Sequence, residues 1–349
     1  HRGRRAGILS AHAAAQEELM ERFKAFKLSE VDKKIHAGFV ECTLDELDPG
    51  EVVVEVAYSD VNYKDALAAT GKGRILLRPS CIGGIDLSGT VVSSSDARFK
   101  PGDAVLATGH ELGVKHHGGY SQYARLPADW LVPLPQGMTL FEAMALGTAG
   151  FTAALGVVRL EQNGLRPENG PVIVNGATGG VGSVAIDVLA RLGYHVVALT
   201  GKESEKDYLE RLGAREVMLR SSLELGNIKP LGKMTWAGAV DNLGGDMLAW
   251  LVSTMKVGGT VASVGLAASH TLNTTVFPFI LRGVSLLGVD SVNCPMPLRQ
   301  EVWRRLASDM RPPHLEQMTR TVPFDQLPTA FDDFIAARVK GRLVVEIGA

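Results

Sequence analysis

The stretch Val172-Ile-Val-Asn-Gly-Ala-Thr-Gly-Gly-Val-Gly182 constrains this chain more than any other. A β-branched run enters Gly176, Gly179 and Gly182, and Val181, Val184, Ala185, Val188, Leu189 and Leu192 then recur at helical spacing. Strand, tight turn and amphipathic helix thus follow in the order of a dinucleotide-binding βαβ unit. The glycines let backbone approach a pyrophosphate, and the unpaired N–H groups at the helix start face the anion. A plain connecting turn is the competing reading. The setting weighs against it, since context gives a glycine triplet its meaning.

The residue that discriminates between nicotinamide cofactors is expected at the end of the second strand. An NAD site places Asp or Glu about 20 residues beyond the glycines to hold the ribose 2′-hydroxyl. Here the strand ends Ala198-Leu-Thr-Gly-Lys202, with a hydroxyl, a turn and a cation in place of the carboxylate. Arg220, after the third strand, offers a second charge. A solvated surface lysine is the bland alternative for Lys202. The missing acid and the added base both favour a 2′-phosphate, so NADPH is the expected cofactor.

Around this unit the texture of the chain changes twice. Residues 23 to about 146 read as short strands punctuated by Gly, Pro and Asp, with candidates at 23–28, 51–58, 87–93, 104–107 and 120–126 and a helical insert at 62–69. From about 147, apolar runs at 171–175, 194–200, 216–219, 237–241, 260–265 and 285–290 alternate with helix-length segments. Six such strands predict a parallel, doubly wound sheet. The tail carries a helix near 298–309 and a strand at 343–347, which has no place in the parallel sheet and is expected to return to the first domain. The fold class is therefore α/β: a β-rich domain over 20–146, completed by 293–349, with a Rossmann domain over 147–292 inserted. Residues 1–19 are Arg-rich at first, then Ala-rich, and read as a leader, an upstream translated segment or an appended extension, with Met20 a natural start.

With 46% apolar and 21% charged residues and a formal net charge of −2, the 349-residue chain shows no bias toward a nucleic-acid partner. Cys42, Cys81 and Cys294 are too scattered for a disulfide framework or a metal knuckle. Reduced thiols and a cytoplasmic location follow as expectations. No apolar run approaches the ~20 residues of a membrane-spanning helix, so no membrane partner is expected.

Several further segments, Asn62-Tyr-Lys-Asp-Ala-Leu67, Gly84-Ile-Asp-Leu-Ser-Gly-Thr90, Gly118-Gly-Tyr-Ser-Gln-Tyr123, Gly147-Thr-Ala-Gly-Phe-Thr152, Pro278-Phe-Ile-Leu-Arg282 and Gly288-Val-Asp-Ser291, join the glycine turn in one pattern. From about residue 20 onward the chain resembles the medium-chain dehydrogenase/reductase superfamily, and within it the zinc-free acrylyl-CoA reductases and their quinone-oxidoreductase-like relatives. The resemblance implies a GroES-like catalytic domain, a cleft between domains for the nicotinamide, and a homodimer. Residue by residue it implies cofactor contacts at Tyr63, Thr178, Gly179, Gly180, Val181, Thr200, Gly201, Lys202, Arg220, Leu266, Ile280, Ser291 and Arg342. Asn62, Tyr63 and Asp65 match the segment beneath the nicotinamide and are the candidate catalytic residues; Tyr63 could equally only pack on the cofactor, and Lys64 with Asp65 could be an ordinary surface pair.

Zinc-dependent members carry a Gly-His-Glu on the strand that here reads Gly84-Ile85-Asp86. Gly109-His110-Glu111 follows a different strand, with no cysteine near in sequence, and reads as a loop rather than a zinc site; no metal is expected. His116 and His117 read as surface or substrate-lining residues. Without a Lewis acid, reduction of an activated double bond is more accessible than alcohol oxidation, because hydrogen-bond donors can stabilise an enolate. Three readings follow: reduction of a short-chain enoyl-CoA, most simply acrylyl-CoA to propionyl-CoA; reduction of a quinone or other α,β-unsaturated carbonyl; or a cofactor-binding protein without turnover.

Overall fold

A computed structural model describes residues 22–348; the proposed leader and Met20 lie outside them. In chain order come β1 (Phe23–Val31), β2 (Lys34–Cys42), β3 (Val52–Asp60), α1 (Tyr63–Thr70), β4 (Ser80–Ile82), β5 (Asp86–Ser94), β6 (Ala104–Thr108), β7 (Tyr123–Leu126) and β8 (Val132–Pro133). Then follow α2 (Leu140–Gln162), β9 (Val172–Val174), α3 (Gly180–Arg191), β10 (Val196–Thr200), α4 (Lys206–Arg211), β11 (Glu216–Leu219), β12 (Trp236–Asp241), α5 (Gly245–Thr254), β13 (Met255–Ser263), α6 (Phe277–Arg282) and β14 (Ser285–Gly288). The tail adds α7 (Met296–Leu306), β15 (Thr319–Pro323), α8 (Leu327–Ile335) and β16 (Arg342–Glu346).

The six parallel strands stand in the order β11-β10-β9-β12-β13-β14, with the glycine-bearing β9 in third place. Val172, Ile173 and Val174 are wholly buried, as a central strand covered on both faces requires. At ~1.5–3 kcal/mol per fully buried aliphatic side chain, such strands pin the sheet. The order reverses beside β9, which leaves a crevice at the carboxyl edge of β9 and its neighbours.

The β-rich part is built from two sheets. β2-β1-β4 forms one, and β15-β16-β3-β5-β6-β8, with β7 also paired to β3, forms the other. The final strand does pair antiparallel with β3, with Val344 opposite Asp60. Its other neighbour, β15, is parallel to it and was not foreseen. β2 and β4 were also missed, and the expected strand at 120–126 begins only at Tyr123.

α2 carries Glu142, Arg159 and Glu161 and so is not an uninterrupted apolar run, but it meets the looser test of length and composition for a membrane-spanning helix. Yet 83% of the most apolar window of this 23-residue helix is buried inside the protein. Gly147 interrupts it at φ 53°, a conformation that excludes most side chains.

Candidate functional site

The glycine turn is set by Asn175 at the end of β9. Its buried side chain donates to Asp241 Oδ1 at 2.5 Å and accepts from the Asn242 amide at 2.6 Å, tying β9 to β12. Gly176 takes φ 56°. A Cβ at Gly182 would collide with the Gly176 carbonyl oxygen, so close packing of turn on helix demands glycine there. No side chain caps α3 at Gly179. The N–H groups of Gly180, Val181 and Gly182 therefore lack intrahelical partners and form the cradle that a diphosphate fits. The Thr178 carbonyl accepts from Gly341 N at 3.0 Å, which docks the tail on this turn.

At the carboxyl end of β10, Thr200 is buried and its hydroxyl accepts from Lys202 N at 3.1 Å. Gly201 and Lys202 are exposed, and Lys202 Nζ donates to the Ala337 carbonyl at 3.1 Å. Thr200 lies opposite Leu219 in the parallel register, so exposed Arg220 emerges beside Lys202 on the same sheet edge. The last residue of the strand is a threonine rather than an acid; exposed Glu203 follows Lys202, and Glu205 is paired with Lys340 at 2.8 Å.

Beneath the turn lies a cluster that sequence reasoning saw only in part. Arg342 is 1% exposed. Its Nη2 pairs with Asp60, its Nε donates to Ala145 O at 2.8 Å, and its Nη1 lies 3.4 Å from Asn62 Oδ1. A Cβ on Gly180 would lie 3.0 Å from the same Nη1, so the guanidinium stands directly behind the cradle. Asn62 donates to Asp60 at 2.9 Å and to Asp86 at 2.9 Å. Asp86 also accepts from Thr148 N at 2.7 Å and from its hydroxyl at 2.5 Å. Gly147 is required here too, since a side chain would strike Asp60. Asp86 and Thr148 lie in segments that carry the family resemblance but were given no role there, and Asp60 lies in none of them.

Asn62 and Asp65, expected to face a substrate, are turned inward. Asp65 is 4% exposed, accepting from Asn62 N at 2.9 Å and Ile85 N at 3.1 Å, so it caps α1 and forms no surface pair with Lys64. Burial, followed by the charge of Asp86, pushes its carboxyl up to about 7. Burial and Asp86 likewise hold Asp60 well above the ordinary carboxyl range. Tyr63, the first residue of α1, is 54% exposed. Of the three it alone presents its side chain to solvent.

Leu266 and Ile280 are exposed apolar residues at 67% and 69%, and the structure shows no bond that gathers them with the glycine turn. The Ser291 carbonyl is held by Arg299 Nη2 at 2.9 Å. Arg299 is fully buried without a carboxylate partner, and it also donates to Thr108 O at 2.8 Å. The loop Gly109-His110 takes positive φ at both residues, and the His110 ring stacks on Trp130 at 5.2 Å. His116 and His117 are not surface residues: both are buried, bonded to Arg125 O at 2.8 Å and Ile82 N at 3.0 Å. Among the described residues no three His, Cys, Asp or Glu side chains converge as a metal site would require.

Comparison with known proteins matches these parts. A family model for the alcohol dehydrogenase GroES-like domain covers residues 48–136, and one for zinc-binding dehydrogenase covers 180–308. The chain is 50% identical over 317 residues to the putative quinone oxidoreductase YhfP of Bacillus subtilis, spanning 90% of this chain and 96% of the relative. It is 48% identical over 316 residues to the acrylyl-CoA reductase AcuI of Ruegeria pomeroyi, again spanning 90% and 96%. The crystal structure of the yhdH oxidoreductase from Salmonella enterica in complex with NADP superposes with a TM-score of 0.90 at 45% identity, covering 93% of this chain and 99% of that one. The structure of B. subtilis yhfP with NAD bound gives 0.91 at 49% identity with the same coverages. A Rossmann sheet in the order 3-2-1-4-5-6 inserted into a GroES-like frame, with relatives this close over nine-tenths of its length, places the chain in the medium-chain dehydrogenase/reductase superfamily.

Proposed function

We propose that this protein uses NADPH to reduce the carbon–carbon double bond of a short-chain enoyl-CoA, with acrylyl-CoA to propionyl-CoA as the leading reaction. The observation that carries the thioester reading is the 48% identity to an acrylyl-CoA reductase over nine-tenths of the chain. The cofactor reading rests on the glycine cradle and on Lys202 and Arg220 beside a strand that ends in Thr200 rather than an acid. Bound there, NADPH supplies the hydride.

The chain's own residues do the rest. Gly180, Val181 and Gly182 present amides to the diphosphate, and Arg342 lends positive charge from behind. Lys202 and Arg220 meet the 2′-phosphate. Charge that develops on the thioester carbonyl oxygen is stabilised by hydrogen bonding, for which the exposed Tyr63 phenol is the assigned donor. Asn62 and Asp65 act as positioning residues: their capping bond sets the first turn of α1 and with it the direction of Tyr63. The reaction needs no zinc, because an enolate, unlike an alkoxide, disperses its charge over carbon and oxygen.

A quinone or α,β-unsaturated carbonyl is the second reading, favoured by the 50% identity to a putative quinone oxidoreductase. NADPH oxidation measured with acrylyl-CoA, crotonyl-CoA, simple quinones and no acceptor decides between them. The thioester reading expects the highest kcat/KM for acrylyl-CoA, since the CoA portion provides binding remote from the alkene. Crotonyl-CoA carries one more methyl at the carbon under attack, worth ~1–3 kcal/mol of discrimination. Turnover of quinones alone defeats the thioester reading; no turnover of any acceptor leaves a cofactor-binding protein.

A further inference from the structure

A cleft of 540 Å3 opens between the two parts of the fold, separate from the glycine turn. Lys64 and Val292 both line it, and they are the sequence neighbours of Tyr63 and Ser291, two of the residues assigned to the cofactor. One wall is aromatic: His110 and Trp130 stack nearly parallel, 6° apart, with His116 edge-on to the same indole at 4.9 Å. Burial, followed by the charge of Arg299, pulls the His110 ring down to about 4, so the stacked His110–Trp130 face is uncharged at neutral pH. A second wall is the segment containing Val292 and Cys294.

Both walls are fixed to one another. Arg299 donates to Thr108 O and Oγ1 at 2.8 and 3.1 Å on the His110 side, and to Ser291 O and Val292 O at 2.9 and 3.1 Å on the other. The Gly109 backbone packs against Val292, where a Cβ would lie 3.5 Å from Val292 Cα. Clefts that combine an aromatic face with a few charged groups at the edge are what ligands with an uncharged body and a charged end occupy. Its rim carries two cations, Lys64 and Lys115, and one carboxylate, Glu111, paired with Lys115 at 3.2 Å.

We infer that this cleft receives the acyl-pantetheine arm of the CoA thioester, laid along the His110–Trp130 face, with Lys64 and Lys115 meeting the CoA phosphates at its mouth. The inference rests on the thioester reading above and adds where the handle is gripped. A neutral aromatic wall suits an uncharged amide-bearing chain, and rim lysines suit phosphates as point charges.

The test uses the full chain with NADPH and two substrates: acrylyl-CoA, and the acrylyl thioester of N-acetylcysteamine, which lacks the phosphates. Lys64→Ala/Lys115→Ala is expected to raise KM for acrylyl-CoA at least tenfold and to leave KM for the short thioester within twofold. Val292→Trp, which fills the cleft, is expected to lower kcat/KM for both, with the Kd for NADPH unchanged. Wild-type turnover of acrylyl-CoA with neither variant affected overturns the cleft assignment while the reaction stands. If wild type reduces neither thioester, the reaction fails, and titration of CoA into the NADP complex judges the cleft by itself. Binding weakened by the lysine substitutions then supports the cleft, and absence of binding overturns it.

Discussion

Arg342 and Asp60 are joined by a fully buried ion pair across the β16–β3 register, where Asp60 stands opposite Val344. Asp65 and Asp86 lie in the same cluster, linked to Asp60 through Asn62. Arg342→Met leaves Asp60 buried without its partner and is expected to cost ~3–5 kcal/mol. Asp60→Asn removes one carboxylate and keeps the cation, so its cost is expected to be smaller. Urea unfolding of both variants checks the ranking; an equal or reversed order refutes this account of the balance.

Cofactor choice is expected to follow Lys202. NADPH should bind at least tenfold more tightly than NADH, a difference of ~1.4 kcal/mol that one charge-assisted contact can supply. Lys202→Ala should narrow the gap, and Arg220→Ala should narrow it further. Equal Kd values for the two cofactors in the unaltered protein would contradict the assignment.

Gly182→Ala places a methyl against the Gly176 carbonyl and 2.9 Å from Ala177 Cα. The turn must open, and its amides lose their aim. NADPH affinity is expected to fall at least a hundredfold, about 2.7 kcal/mol. Isothermal titration measures it, and unaltered affinity would show that the turn does not hold the diphosphate.

Asp65 makes stability depend on pH. Its carboxyl is raised from the ordinary 3.8 to about 7, so between these values the folded chain keeps a proton that the unfolded chain releases. Its contribution is present in full below pH 3.8 and is lost as pH rises through about 7. Asp65→Asn, which stays neutral, should flatten the decline over that window. Denaturation midpoints from pH 4 to 8 for both proteins test this; parallel curves would remove Asp65 from the explanation.

Zinc should be substoichiometric in the purified protein, and activity should persist in chelator. His110 is stacked on Trp130 and no three metal-binding side chains converge among the described residues. Elemental analysis showing one zinc per chain, with activity lost on its removal, reverses the prediction.

The sequence disclosed most where one local rule sufficed. Val172–Val174, the three glycines and the α3 periodicity located the crevice, and the missing carboxylate after Leu199 pointed to a 2′-phosphate. It disclosed least where partners lie far apart along the chain. Asp86 and Thr148 sit in segments that stood out, yet nothing local joins them to Asp60, and only β-pairing and the Gly147 break bring the three toward Arg342. Asn62 and Asp65 were read as substrate-facing because spacing gives a helix start but not which way its cap turns. The weak strands β2, β4 and β15 lacked both long apolar runs and clear alternation, so they left little trace.

The separation of 282 positions along the chain between Asp60 and Arg342 also sets a schedule. At ~5–20 residues per second of translation, the cation emerges roughly 15–60 s after the carboxylate it balances. For that interval the nascent β3 edge has no β16 beside it, and its acidic corner must remain hydrated. Completion of the first sheet is thus deferred until the inserted parallel sheet has been synthesised, which makes the order of synthesis, and the chaperones that act within it, part of how this protein reaches its native state.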